Sequence, residues 1–349
     1  MTELSVIGID LAKRVFQVCG LDEAGRVVVQ RRLGRAGFMR FMEKQPRTCL
    51  VGFEACGGAH FWGRWLMARG FTVKMMSPQA VRPYAAGAHK NDPRDAYAVA
   101  EATTRAHVAA VAIKSEAGQG LQALVRVRAR RVDQLVRATN QLRALLHEFG
   151  FVVAKGRRRL LITFEDISGS EVFAALPEEV REMFADLHAE CLVLTDQVET
   201  ATTQLKAATA THEICRLVMS IPHLGPINAA SLAAVEALEG FRNGRAFTAY
   251  LGLVPRQHAS GETNHLRGIT KHGAGEIRRY LVLAAQTFLI RAHREHAAGR
   301  RLDRLQQWAL ALSRRKPHNV AVTAIAARLA RIAWAVMRHR TPYQGHATT

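Results

Sequence analysis

The hydrophobic pattern of this chain changes from short apolar runs to heptads after about residue 110, and this change restricts the possible folds more than any other feature. In the first part, short apolar runs separated by glycine-rich turns predict strands at residues 6–9, 15–18, 27–29, 49–53 and 71–75. Helical patterns lie at 38–43, 59–69 and 93–104. The order β-β-β-α-β-α-β-α predicts an α/β domain with a mixed sheet over residues 1–110.

Two long apolar seams follow, in which the steps alternate between four and three residues. The first seam runs from Leu121 to Phe149 with two polar interruptions, and the second runs from Val180 to Ala208 directly after Pro177. This spacing predicts long coiled-coil helices in residues 111–212, joined by a basic, turn-rich segment at 154–170. The two helices could pack on each other or on a second subunit, and the spacing leaves both arrangements open.

The remaining residues, 213–349, predict a mostly helical C-terminal domain with helices near 281–294 and 319–340. Residues 221–229 look like a helix-hairpin-helix turn. In such a turn Gly225 would permit a tight hairpin whose backbone N–H groups hold a phosphate without reading sequence. A simple helix break inside a globular domain is the alternative.

The charge balance favours a polyanionic partner, because 49 Lys and Arg residues stand against 29 Asp and Glu, a formal net charge of +20. The excess is concentrated, with +8 in residues 121–160 and +10 in residues 291–340. Solvated helix faces also carry arginine, but these blocks exceed ordinary mixing of surface charge. Candidate nucleic-acid contacts in the first block are Arg126, Arg128, Arg130, Arg131, Arg157, Arg158 and Arg159.

Other patterns exclude several classes of protein. The five cysteines show no C-x-x-C spacing and no histidine at ligand spacing, so we expect reduced, mostly buried thiols rather than a disulfide frame or a zinc site. No uncharged apolar run approaches the roughly 18 residues of a membrane span, and the N-terminus lacks a secretory pattern. The chain also lacks the phosphate-binding pattern G-x-x-x-x-G-K-[ST] of ATP-dependent enzymes.

Four acidic residues lie where strands end or a helix begins. Asp10 ends the first predicted strand, Glu54 ends the fourth, and Asp92 and Asp95 open the helix after the fifth, with Pro93 at its first position. Each has a simpler role as a cap, a turn residue or a strand-end charge. Together they could converge at one sheet edge, and such hard oxygen ligands suit two Mg²⁺ or Mn²⁺ ions that act on a phosphodiester.

A serine in the C-terminal part has basic neighbours. We expect Ser260 in a short loop flanked by Arg256, His258, Arg267 and Lys271. A serine hydroxyl attacks phosphate only when a base takes its proton and cations hold the developing charge. His258 is the candidate base if the segment is extended, because residues i and i+2 of a strand share a face. A Ser-Gly turn that merely touches phosphate is the simpler alternative.

These segments in this order resemble the bacterial insertion-sequence transposases of the IS110 family. The N-terminal motifs resemble the family's RuvC-like, RNase H-fold DEDD domain, and the C-terminal motifs resemble its transposase domain. The segments are I-G-I-D at 7–10, G-F-E at 52–54, K-N-D-P-R-D-A at 90–96, Y-L-G-L-V-P-R-Q-H-A-S-G at 250–261 and G-I-T-K-H-G at 268–273.

The resemblance implies a DNA transposase that breaks and rejoins DNA through a serine-DNA intermediate. It maps the metal-binding catalytic acids to Asp10, Glu54, Asp92 and Asp95 and the catalytic serine to Ser260; Ala259 stands where a small residue such as serine is expected. It further implies a noncoding bridge RNA that pairs with donor and target DNA. The protein would form dimers or tetramers whose active sites combine domains from different protomers, acting in the bacterial cytoplasm at the nucleoid.

Two other functions remain open from the residues themselves. A RuvC-like, metal-dependent nuclease such as a junction resolvase would use the four acids alone to activate water. A DNA-binding protein without enzymatic activity would need neither the acids nor the serine. Substitution of Ser260 separates the first of these from a recombinase.

Overall fold

The computed structural model describes residues 4–85, 92–260 and 263–345 of the chain. The residues form two compact units, Met1–Ala117 and Gly118–Thr349. The long helices and the C-terminal helices therefore belong to one unit, and a further division of that unit at residue 212 stays a prediction.

The first unit contains a mixed sheet, as predicted, with six strands instead of five, in the order β3-β2-β1-β4-β5-β6. Its first three strands are antiparallel, β1, β4 and β5 are parallel, and β6 is antiparallel to β5. The sixth strand was not predicted because two exposed residues carry no periodic signal. The strands are β1 Leu4–Asp10, β2 Val15–Asp22, β3 Val27–Gly34, β4 Leu50–Glu54, β5 Thr72–Met76 and β6 Ala110–Val111.

Helices cover both faces of this sheet. They are α1 Arg35–Glu43, α2 Ala59–Met67, α3 Pro78–Val81 with a 3₁₀ turn at Arg82–Tyr84, and α4 Asp92–Thr104. On one face, Ile9 of β1 and Phe53 of β4 are fully buried in a core with Phe38 of α1 and Trp62 of α2. Side chains alternate along a strand, so the residues on either side of Ile9 and Phe53 face the other helix layer, α4.

Helix α4 lies directly on the backbone of the sheet because the strands beneath it carry glycine. A Cβ at Gly8 would collide with the backbone nitrogen of Ala100, and a Cβ at Gly52 would collide with the side chain of Thr103. Lys74 of β5 donates hydrogen bonds to the carbonyl of Thr103 (3.1 Å) at the end of the helix and to a carbonyl just beyond it. Burial lowers the pKa of this ammonium group. These contacts fix α4 across the sheet, so close to Gly8 and Gly52 that neither position has room for a side chain.

The second unit is mostly helical and contains one β-hairpin in its described residues. Its helices are α5 Glu116–Glu148, α6 Arg157–Ser168, α7 Glu171–Ala174, α8 Glu178–Thr211, α9 Glu213–Met219, α10 Pro226–Ala233, α11 Gly244–Tyr250, α12 Gly275–Ala297, α13 Arg304–Arg315 and α14 His318–His339, with a 3₁₀ turn at Leu238–Gly240. The hairpin consists of β7 Pro255–Ser260 and β8 Thr263–Ile269. The predicted C-terminal helices are confirmed, although α12 begins six residues before 281.

The two long helices α5 and α8 pack on each other within one chain. Leu142 of α5 and Cys191 of α8 are fully buried in the same core cluster. Arg128 donates to Thr202 Oγ1 at 2.8 Å, and Arg131 donates to the carbonyl of Gln197 at 3.0 Å. Residue numbers in these contacts rise along α5 while they fall along α8, so the two helices are antiparallel. Supercoiling of the pair stays a prediction.

The prediction of a turn-rich segment at 154–170 is wrong, because α6 occupies residues 157–168. Leu160 and Phe164, one helical turn apart, are buried in the core of the helical pair. Three consecutive arginines at the start of the helix and glycine at both of its ends concealed this short apolar stripe. The arginines themselves are exposed.

Helix α14 is the one helix among the described residues that is long and apolar enough to cross a membrane. Half of that stretch is buried inside the protein. Its Ile325, Leu329 and Ala333 are fully buried in the core of the second unit. The cysteines are free, and four are buried as expected, whereas Cys56 is exposed.

The close approach of α4 generates a stability prediction. Gly8→Val forces a side chain into the backbone of α4, which we expect to cost about 3 kcal/mol, in the range of core overpacking. The backbone amides of α4 should therefore exchange faster in hydrogen-exchange mass spectrometry. Gly34→Ala is the matched control, because a Cβ there has a single neighbour, at 4.0 Å. Unchanged protection of α4 in Gly8→Val would show that the contact is not tight.

Candidate active site

The structure brings two of the predicted acids to one edge of the sheet. Strands β1 and β4 are parallel neighbours in a register that pairs Ile9 with Phe53, so Asp10 and Glu54 are the next residues on adjacent strands. Strand alternation places Asp10 on the face of Gly8 and Glu54 on the face of Gly52, which is the face covered by α4. Both acids are half-buried. The expectation that they converge is therefore met for this pair.

The other two acids lie in the first turn of α4. Gln30 of β3 donates a hydrogen bond to the carbonyl of Pro93 at 3.4 Å, which holds this turn at the sheet. Asp95 is half-buried and precedes Ala96, which is fully buried under the sheet-facing side of the helix. Asp92 is the first residue of the helix, one turn before Ala96. Its side chain, like residues 86–91, lies outside the described part of the structure.

The described acids do not by themselves form a complete metal site. Among the described side chains, no three Asp, Glu, His or Cys groups lie close enough together to hold an ion. Two carboxylates at one edge are a hard, anionic donor pair of the kind that divalent cations prefer. The carboxylates of Asp10 and Glu54 are therefore chemically suited to bind a divalent ion. Asp92 and Asp95 would have to supply the remaining ligands.

Cys56 is a residue at this edge that sequence reasoning missed. Its Sγ lies 3.7 Å from the carbonyl of Leu11, which connects the loop after β4 to the loop after β1. Partial burial of the thiol raises its pKa, and the negative charges of Asp10 and Glu54 raise it further. A single cysteine two residues after an acid carries no signal in sequence. The effect of Asp10 and Glu54 on the pKa of this thiol reflects the proximity of both carboxylates.

Ser260 is the last residue of strand β7, not part of an irregular loop as expected. Its backbone pairs with Thr263 across the hairpin, and His258 pairs with His265. The expected loop was wrong because both strands are polar and lack an alternating apolar pattern. His258 is a candidate base only if its segment is extended. Strand β7 is extended, so positions 258 and 260 share a face. The side chain of Ser260 itself is outside the described atoms.

The basic residues predicted around the serine lie along one cavity. Arg256, His258, Arg267 and Lys271 all line a hollow of about 1200 Å³ under the hairpin. Arg245 and Arg331 join them from other helices. Sequence reasoning missed these two because they are distant along the chain, and only the fold brings them to the hairpin.

The base of the hairpin explains two glycines in its motif. Gly252 has φ 68° and Gly273 has φ 77°, a region that favours glycine. A Cβ at Gly273 would collide with the carbonyl of Tyr250, and a Cβ at Gly252 would collide with that of His272. The two ends of the motif are therefore locked together, which fixes where β7 leaves the helical core.

The predicted arginine contacts of α5 fall into two groups. Arg128 and Arg131 tie α5 to α8 by the hydrogen bonds described above, and Arg126 forms an ion pair with Glu276 at 3.6 Å. Arg130 is exposed, as are the three arginines at 157–159 in the first turn of α6. Arg128 and Arg131 contribute to helix packing, whereas Arg126, Arg130 and the arginines at 157–159 are exposed.

The predicted hairpin at 221–229 joins two helices, α9 and α10, but Gly225 does not make its tight turn. Gly225 has φ −80°, which any residue adopts, and the left-handed residue is His223 with φ 65°. The His223 ring packs on Phe288 with centroids 5.4 Å apart, and burial lowers its pKa. Open space lies in front of Gly225. The reason given for the glycine was wrong, and its contact with phosphate stays a prediction.

Family models match both units of the chain. A DEDD transposase model of the IS110 type, described as a transposase, matches residues 7–151. A second model, described as the transposase IS116/IS110/IS902 family, matches residues 215–300. The two matched regions contain the strand-end acids and the hairpin, respectively.

Several full-length relatives are transposases. A probable family 20 transposase of Pseudomonas aeruginosa is 36% identical over 98% of this chain and 99% of the relative. The transposase for insertion sequence element IS1111A of Coxiella burnetii is 35% identical over 99% of this chain and 92% of the relative. The transposase for IS1328 of Yersinia enterocolitica is also 35% identical, over 98% and 99%.

The fold and the matches define a transposase, an enzyme that cleaves and rejoins DNA and whose DEDD domain requires a divalent metal. The chain belongs to the IS116/IS110/IS902 family of insertion-sequence transposases.

The convergence of the acids can be measured through Cys56. Two nearby carboxylates should repel the anion iodoacetate but not neutral iodoacetamide. Asp10→Asn should therefore raise the ratio of the two alkylation rates by about fivefold, in line with about 1 kcal/mol between unit charges at 4 Å in water. Asp22→Asn, at the far end of β2, is the control. An unchanged ratio in Asp10→Asn would place this carboxylate away from the thiol.

Proposed function

We propose that this transposase cuts and rejoins DNA through a covalent link between Ser260 Oγ and a DNA phosphate. The placement of β7 carries the proposal. Position 260 shares a strand face with His258, and His258 lines a cavity with five cationic side chains. A proton acceptor and a positive field beside one hydroxyl are what attack on a phosphodiester needs.

The reaction is a transesterification that conserves the number of ester bonds. Ser260 Oγ forms a bond to phosphorus, and its proton passes to His258. The bond between phosphorus and one bridging deoxyribose oxygen breaks, and that oxygen leaves with a proton. Rejoining reverses the same steps with a new deoxyribose hydroxyl. No nucleotide triphosphate is consumed, which agrees with the lack of an ATP-binding pattern in the sequence.

The four acids are proposed as the metal-binding set: Asp10, Glu54, Asp92 and Asp95. The adjacent strand ends of Asp10 and Glu54 support it, and so does the position of Asp95 at the start of α4. Bound Mg²⁺ or Mn²⁺ would neutralise charge on the phosphate oxygens of the scissile strand. The four side chains would hold the ion and thereby orient the DNA strand.

The fold of the first unit is proposed to be RNase H-like, of the RuvC type. Three antiparallel strands are followed by two strands parallel to the first, in the order β3-β2-β1-β4-β5. The acids lie at the carboxyl ends of the two central strands, β1 and β4. This order and these positions support the proposal.

Sequence choice is proposed to come from a bridge RNA. The exposed arginines of α5 and α6 suit contacts with phosphates, which position nucleic acid without reading its sequence. A guide RNA paired with donor and target DNA would then supply specificity, while the protein binds shape and backbone. We further propose that the protein acts as a dimer or tetramer on chromosomal DNA in the cytoplasm.

A metal-dependent nuclease is the second candidate. The adjacent strand-end positions of Asp10 and Glu54 favour it, because the four acids could hold an ion without any contribution from Ser260. Such an enzyme would cleave DNA by activating water and would leave no protein–DNA link.

The decisive experiment incubates the protein with Mg²⁺, DNA that carries both element ends, and the flanking RNA transcript. A covalent protein–DNA adduct should form and map to Ser260 by mass spectrometry. Ser260→Ala should abolish the adduct, whereas Thr263→Val, which removes a hydroxyl from the paired strand, should retain it. Cleavage that persists in Ser260→Ala but is lost in Asp10→Ala would establish the nuclease instead.

A further inference from the structure

The cavity under the hairpin has a second feature that attack by a serine does not require. Its walls come from the hairpin, from α11, from Trp308 of α13 and from one side of α14. At about 1200 Å³ it is somewhat larger than typical small-molecule sites, which measure roughly 300–1,000 Å³. It is a concave space, not a flat phosphate-binding surface.

The lining of the cavity combines apolar residues with five exposed cationic side chains. Apolar lining residues include Leu253, Ile269, Trp308, Val320, Ala324 and Ala327. The charged lining residues are Arg245, Arg256, Arg267, Lys271 and Arg331. The lining contains no Asp or Glu, and none of these five cations forms an ion pair with the residues that the structure describes.

Small side chains on α14 keep this space open. Ala324 and Ala327 are one turn apart on the cavity side of the helix, and larger residues there would fill the hollow. Trp308 forms another part of the wall, and the guanidinium of Arg328 lies 4.4 Å from its ring centre, which fixes the indole. Helices α13 and α14 therefore supply a large part of the apolar lining, and the hairpin segment supplies Leu253 and Ile269.

This combination matches one kind of ligand. A nucleotide displaced from its helix presents a flat base that is favourable to bury, joined to an anionic phosphate. A paired duplex keeps its bases inside and offers mainly phosphates to a protein surface. A concave space lined by apolar residues and five exposed cations therefore fits an unstacked nucleotide better than a duplex.

We propose that the cavity holds an unstacked nucleotide of the DNA strand that the enzyme attacks. His258 lines the cavity and shares a strand face with position 260, so a base in the hollow would place its phosphate along β7. The cavity is then a positioning site for the scissile strand. The assignment of this nucleotide to the attacked strand rests on the proposed serine chemistry. The binding of an unstacked base in the cavity does not depend on it.

The test compares binding of two short probes to the full-length Ser260→Ala protein, in which no covalent link can form. One probe is a six-nucleotide oligodeoxyuridine and the other is an abasic deoxyribose-phosphate chain of equal length, both measured by fluorescence anisotropy. The base should improve affinity about tenfold, within the 1–3 kcal/mol per stacked base. Other basic surfaces bind both backbones equally.

Filling the cavity should remove the preference for the probe that carries bases over the abasic probe. Ala324→Trp should bind the two probes with affinities within twofold of each other, whereas Ala311→Trp, at an exposed position of α13, should keep the tenfold difference. Ala324→Leu fills less of the space and serves if the tryptophan variant does not fold, as judged by circular dichroism. A preference that survives both substitutions at Ala324 would overturn the proposal.

A third probe distinguishes DNA from RNA as the ligand of the cavity. Oligouridine of the same length differs from oligodeoxyuridine only in its 2′-hydroxyls. Tighter binding of the RNA, lost in Ala324→Trp, would assign the cavity to an unpaired RNA base and overturn the DNA assignment. The adduct experiment is separate: base-dependent binding without an adduct in the Ser260 protein would end the serine mechanism and leave the cavity site standing.

Discussion

The close contact between α4 and the sheet is the constraint on which the first unit depends. Gly8 and Gly52 leave no room for side chains, so the backbone of α4 rests on the strands that end in Asp10 and Glu54. Lys74 holds the last turn of the helix, and Gln30 holds its first turn. A helix separated from the sheet by ordinary side chains would sit several ångströms further away. The glycines therefore determine how near the acids of α4 can come to those of the strands.

The second unit uses the same device at its hairpin. Gly252 and Gly273 allow two backbone segments to touch, and this contact fixes the start of β7 and the end of β8. The hairpin then places His258, which shares a strand face with position 260, beside a cavity that α14 also lines. In both units the chemistry-bearing residues are carried by short elements, and glycines in the underlying backbone determine their position.

Much of this arrangement was predictable from local patterns, and the rest depends on distant residues. The strands that end in Asp10 and Glu54 were found because their apolar runs stop at the acids, and parallel neighbours bring such ends together. Helix α6 was missed because its two buried residues are outnumbered by arginine. The hairpin at Ser260 was missed because its strands are held by backbone hydrogen bonds and not by an apolar face. No local pattern joins Arg245, Trp308 and Arg331, which only the fold of the second unit collects around one cavity.

The proposed divalent-ion site combines Asp92 and Asp95 of α4 with the strand-end acids Asp10 and Glu54. Binding of Mn²⁺ to the full-length protein, followed by electron paramagnetic resonance, tests it most directly. The account predicts saturable binding that is weakened at least tenfold by Asp10→Asn, Glu54→Gln, Asp92→Asn or Asp95→Asn, each alone, and unaffected by Glu43→Gln at the end of α1. Equal Mn²⁺ affinity in the wild type and in all four variants would contradict the account.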